Sequence, residues 1–203
     1  MAYPTVSAPY GLVPVKLVSG SPYAGVTRQY KIASEYATNI FKGDLVKIHT
    51  DGTVVRETAD AAVDTIGVFM GCSYTDATFG KVFRNYWPGG QVAADAVAYV
   101  VDDPNVLFKV AVISSAANTT PIVIADLAQA DVGRNATLVE NAGDTATGNS
   151  KIAIDDTSAN TATLPIRIVE LVEETVNASG GYTEALVRFN AGHQFENTTG
   201  QGS

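Results

Sequence analysis

From residue 44 onward, short apolar runs alternate with turn signals, and the apolar positions recur with a period of two, which predicts strands and not helices. Runs at 44–50 and 53–56 flank Asp51-Gly52, a pair that favours the positive φ angles of a tight hairpin turn. Further strands are predicted over 65–74, 81–86, 96–102 and 105–113, and a second group over 136–140, 151–155, 164–172 and 184–190. Asp102-Asp103-Pro104-Asn105 reads as a second hairpin, because Pro104 suits a turn and not a central strand. Within 105–113, Val106, Phe108, Val110 and Val112 share one face, and Leu107, Lys109, Ala111 and Ile113 share the other. A strand apolar on both faces belongs in the middle of a sandwich or barrel, or against a partner subunit. Only 125–130 suggests a helical turn, ended by Val132-Gly133. The expected fold is all-β, a sandwich or barrel in Greek-key or jelly-roll style, with at most one short helix.

Residues 1–31 break this pattern. Pro4, Pro9, Pro14 and Pro22 recur with Gly11, Gly20 and Gly25, which argues against helix or regular sheet. Tyr3, Tyr10, Tyr23 and Tyr30 and a set of Val and Leu residues give the segment apolar surface that a disordered leader lacks. It is therefore expected to be an extended N-terminal arm, followed by a β domain over 32–190 and a polar C-terminal tail over 191–203. The arm lies either on a partner or along its own sheet, where it would protect an edge strand.

Composition narrows the functional classes. The chain of 203 residues is 46% hydrophobic, enough for a real core, while only 17% is charged and 28 Ala and 21 Thr fill the difference. A net charge of −8, with thirteen scattered Lys and Arg, argues against a nucleic-acid partner. Apolar runs fall short of a bilayer span, so no membrane segment is expected. The N-terminus lacks a basic region followed by an apolar stretch, which points to synthesis in the cytoplasm.

Candidate chemistry is sparse. Cys72, alone in an apolar run, reads as a buried inert thiol. His49 and His193 lack a nucleophile elbow or a Ser-x-x-Lys partner, and no phosphate-binding glycine pattern occurs. Asp102-Asp103 and Asp155-Asp156 read as turn carboxylates, since neither pair supplies the alternate ligands of a Ca²⁺ loop. Trp87, in Tyr86-Trp87-Pro88-Gly89-Gly90, reads as a plug at the core edge, with sugar stacking as its sharper alternative. The sequons at Asn118, Asn135, Asn177 and Asn197 reflect a chain rich in Asn and Thr. Neither catalytic residues, nor a metal site, nor a cofactor is expected.

The ordered words Ala8-Pro9-Tyr10-Gly11-Leu12-Val13-Pro14-Val15, Tyr30-Lys31-Ile32-Ala33, Gly43-Asp44-Leu45-Val46, Val68-Phe69-Met70-Gly71-Cys72-Ser73-Tyr74, Tyr86-Trp87-Pro88, Val100-Val101-Asp102-Asp103-Pro104 and Leu164-Pro165-Ile166-Arg167-Ile168 span nearly the whole chain. In that order they resemble tailed-bacteriophage virion structural proteins of the capsid decoration, or cement, type. The resemblance implies a non-enzymatic homotrimer on the outer capsid surface, with the major capsid protein as partner. No word in it is a catalytic or ligand motif. Tyr10, Leu12, Val13, Val15 and Tyr23 are the arm residues expected to contact the shell or a sister subunit. A carbohydrate-binding or host-attachment module of the virion is the alternative, and a hydrolase using His49 or His193 has no motif behind it.

Overall fold

The computed structural model describes residues 8–114, 127–176 and 182–192. The protein is all-β, with no α-helix among those residues. Strands β1 (Val13–Leu17), β2 (Arg28–Lys31), β3 (Ile40–Phe41), β4 (Leu45–Ile48), β5 (Val54–Arg56), β6 (Gly67–Asp76), β7 (Gly80–Arg84), β8 (Tyr86–Trp87) and β9 (Val97–Val101) precede β10 (Val106–Ile113). β11 (Asn135–Ala136), β12 (Leu138–Val139), β13 (Ala153–Asp155), β14 (Ile166–Leu171) and β15 (Glu184–Phe189) follow it.

Two main sheets result. The six-stranded sheet runs β2-β9-β6-β4-β5 with β7 added to β6. The seven-stranded sheet runs β11-β14-β15-β10-β13-β12 with β1 added to β10. β11 and β12 are two halves of one extended segment, one pairing with β14 and the other with β13, so this sheet curls almost closed. In the six-stranded sheet a parallel bridge from Ile32 to Val54 draws the outer strands together.

Each strand's alternation divides its residues between separate cores. From the six-stranded sheet, Val46, Phe69, Cys72, Tyr74, Ala98 and Val100 fill one core, which Trp87 of the small antiparallel β3–β8 pair plugs. A bulge at Met70 resets the alternation of β6, keeping Phe69, Cys72 and Tyr74 on the same side. Leu45, Val68 and Val101 face the other way and join the apolar face of β10, with Phe108 packed edge-on to Phe189. The second face of β10 is covered as well, since Ala111 and Ile113 pack with Val139, Ala153 and Tyr182. β10 is therefore the central strand that its two apolar faces predicted.

The hairpin at Asp51-Gly52 forms as expected: Ile48 pairs with Val54, Gly52 has φ +82°, and Asp51 Oδ1 accepts from the Thr53 amide at 2.9 Å. The predicted hairpin at 102–105 does not. β9 and β10 turn through an Asx bond from the Asn105 amide to Asp103 Oδ1, but they lie in different sheets. Both edges of β9 are taken, by β2 and β6, so the chain must cross to the other sheet. The expected helical turn is a single 3₁₀ turn at Gln129–Asp131, and residues 125 and 126 lie outside the described residues.

Residues 13–17 and 28–31 correct the expectation that the N-terminal segment avoids regular sheet. β1 pairs with β10 and β2 with β9. Pro14 is tolerated because β1 is an added edge strand whose register shifts between Pro14 and Lys16.

Candidate interaction surfaces

The five arm residues fall in different environments. Leu12 is fully buried in the core shared by both sheets. It arrives there because Gly11, at φ +80°, lets the backbone pass against Gly43, where a Cβ would lie 2.8 Å from the Gly43 carbonyl oxygen. Tyr10 packs over the outer face of β10 and β15: its hydroxyl donates to Glu184, and Lys109 Nζ sits 5.5 Å from its ring centroid. Lys109 also pairs with Glu184 at 3.1 Å, and burial together with the Glu184 carboxylate pushes the Tyr10 hydroxyl pKa far up. Val13 is half-buried opposite Lys109. Tyr23 is half-buried against the shared core, its hydroxyl donating to the Val26 carbonyl. Of the five, Val15 alone is exposed.

Other large apolar side chains are exposed as well. Phe79 and Phe83, on the β6–β7 hairpin, are 73% and 74% exposed. β7 pairs only with β6 among the described strands. Val18 and Val26 are exposed on the same N-terminal segment as Val15, and Val92 stands in the loop before β9. Sequence reasoning passed over the two Phe residues. Their spacing, with Lys81 between them, was the available signal, because it puts Phe83 and Lys81 on one face of β7 with Phe79 in the turn just before it.

The residues weighed for chemistry take other roles. Trp87 is fully buried, edge-on to Tyr74, with Nε1 donating to the Tyr36 carbonyl at 3.0 Å. Cys72 is buried with Sγ 3.3 Å from the Tyr86 carbonyl, and burial pushes its thiol pKa up to about 12. His49 Nδ1 lies 3.2 Å from Asp51 in the exposed turn, whereas His193 lies outside the described residues. Asp102 accepts from Tyr30 and pairs with Arg28, while Asp103 caps its own turn. Asp155 accepts from the Thr157 amide, and Asp156 is shifted upward by burial and by Asp155 beside it. Among the described residues no group of three or more His, Cys, Asp or Glu is placed to hold a metal. No helix there is long and apolar enough to cross a membrane. Asn135, the one sequon within the described residues, is buried in β11 and out of reach of a modifying enzyme.

A charged network lies between the sheets. Arg56 Nε approaches Asp44 Oδ2 at 3.1 Å, and Arg56 Nη2 approaches Glu140 Oε2 at 2.5 Å. Asp44 is fully buried and also accepts from the Phe41 amide at 2.8 Å. Glu57 and Asp60 stand nearby, Glu57 3.5 Å from Lys47 and Asp60 accepting from the Glu140 amide. Burial first, then the carboxylates of Asp44, Asp60 and Glu57, raise the Glu140 pKa to about 8 against the pull of Arg56. Burial also raises that of Asp44.

No family model, no curated protein and no solved structure matches the chain.

Proposed function

We propose that this chain is a non-enzymatic capsid decoration protein of a tailed bacteriophage, binding the outside of the assembled shell and stabilising it. The observation that carries the reading is the exposure of Phe79 and Phe83 on the β6–β7 hairpin, with Val15, Val18 and Val26 exposed on the N-terminal segment. Apolar groups held in water by a well-packed β domain suit a surface that awaits a partner. The resemblance carried by the ordered sequence words supports the same class of protein. A partner that binds the assembled shell, and not the free subunit, stabilises the shell by mass action and needs no active site. Three linked copies would turn modest contacts into high avidity.

On this reading the shell contacts come from β7 and from Val15, Val18 and Val26. Leu12 and Tyr10 instead fasten the N-terminal segment to its own domain. Removing residues 1–25 would therefore strip the core along with any contact, and point substitutions make the sharper test. Shells of the parent phage lacking this protein should sediment with the wild-type chain. The Phe79→Ser/Phe83→Ser double variant should bind at least about tenfold more weakly while keeping its melting temperature, since each buried Phe contributes roughly 1.5–3 kcal/mol. Failure of the wild-type chain to sediment with shells, or its location in the tail of the virion, would overturn the proposal.

A further inference from the structure

β14 and β15 pair so that Arg167 stands directly opposite Arg188, and the alternation of both strands puts the two side chains on the outer face of the seven-stranded sheet. Like charges in directly opposed positions destabilise a sheet unless something neutralises them. In a chain of net charge −8 an acidic neighbour would be the ordinary solution. Among the described residues neither guanidinium has a carboxylate partner. Two glutamates on that face are engaged elsewhere, Glu170 with Lys16 at 2.6 Å and Glu184 with Lys109 at 3.1 Å.

The surroundings hold the guanidinium groups in place without neutralising them. Arg167 Nε donates to Asn135 Oδ1 at 3.1 Å, and the buried Asn135 is fixed from behind by its Nδ2 donating to the Thr161 carbonyl at 2.9 Å. Arg188 Nε reaches the Phe189 carbonyl at 3.5 Å, and Asn190 is tied to the Leu164 carbonyl at 2.7 Å. The terminal nitrogens of both arginines donate to no protein acceptor among the described residues. Together Asn135, Ala162, Arg167, Arg188, Asn190 and Ala191 line a cleft of about 360 Å³. Paired guanidinium forks present donors in the geometry that carboxylate and phosphate oxygens accept.

We propose that the Arg167–Arg188 cleft is a binding site for an oxyanion of the carboxylate or phosphate class. A bound oxyanion would take hydrogen bonds from both forks and cancel their mutual repulsion. The site stands independently of the decoration role, since it rests on strand register and charge.

The test is thermal unfolding of the full chain in sodium phosphate, sodium glutarate and sodium chloride at matched ionic strength. Phosphate or glutarate should raise the wild-type melting temperature saturably above the chloride value, by about 3–6 °C at tenfold excess over Kd. Whichever of the two acts distinguishes a phosphate ligand from a carboxylate one. Arg188→Gln should lose that response, and Arg167→Gln, at an exposed position, provides the same test should the first variant fold poorly. Equal effects of all three salts on the wild-type protein, or an undiminished response in the glutamine variants, would overturn the proposal.

Discussion

Arg56 and the pair Arg167 and Arg188 show two opposite fates of a cation in the same acidic β protein. Arg56 is enclosed between the sheets with more carboxylates around it than it can neutralise, and burial, helped by those neighbouring carboxylates, drives the Glu140 pKa upward. Arg167 and Arg188 face each other across two strands and lack a carboxylate partner among the described residues. Net charge says nothing of either arrangement. What separates them is position: a charge inside must be paired to be tolerated, whereas one at the surface can await a ligand in water.

The largest effect should come from breaking the enclosed site. Arg56→Ala leaves Asp44 fully buried without its counter-ion and frees Glu140, and losses on removing one partner of a buried pair run to about 3–5 kcal/mol. Denaturant unfolding followed by circular dichroism should show that drop. A loss below about 1 kcal/mol would mean that the pairing contributes little. Arg56→Met combined with Asp44→Asn should recover part of the loss, because the uncompensated charge is then gone.

The next effect is a dependence on pH. The Glu140 pKa lies above that of the unfolded chain, so the folded protein holds a proton that the unfolded chain releases. The stability contributed is full below the ordinary glutamate range near 4.5 and is lost as pH rises through about 8. The Asp44 shift has the same sign. Melting temperature should therefore fall between pH 5 and pH 9, and Glu140→Gln, which imitates the protonated form, should flatten much of that slope. An equally steep slope in the variant would assign the dependence to other groups.

The strands were legible because short apolar runs stand between turn signals, as in 105–113, whose two apolar faces marked a central strand, and Asp51-Gly52 marked its hairpin through a backbone preference. The crossing at 102–105 was not legible. A turn sequence reports that the chain reverses, and it cannot report that both edges of β9 are already occupied. β1 and β2 were hidden for a related reason: Pro14 and the glycines forbid a central strand, yet an added edge strand accepts them. Leu12 illustrates a deeper ambiguity, because an apolar anchor for a partner and an apolar core residue are the same side chain. The Arg167–Arg188 pairing could not be read at all, since it depends on the register of two strands separated in the chain by residues 172–183.

The smallest effect should come from Arg188→Glu, and its sign is what matters. The substitution leaves the Arg167 bond to Asn135 untouched and places a carboxylate directly opposite a guanidinium. An opposed cross-strand pair contributes roughly 0.2–1 kcal/mol, so the variant should melt about 1–3 °C higher than the wild-type protein at low ionic strength. Added salt should shrink the gain, because the pair lies at the surface. Phosphate should no longer stabilise this variant, since the protein then supplies the anion itself. A lower melting temperature at low salt would mean that the arginines do not repel each other enough to matter, and the contrast with Arg56 would then reduce to burial alone.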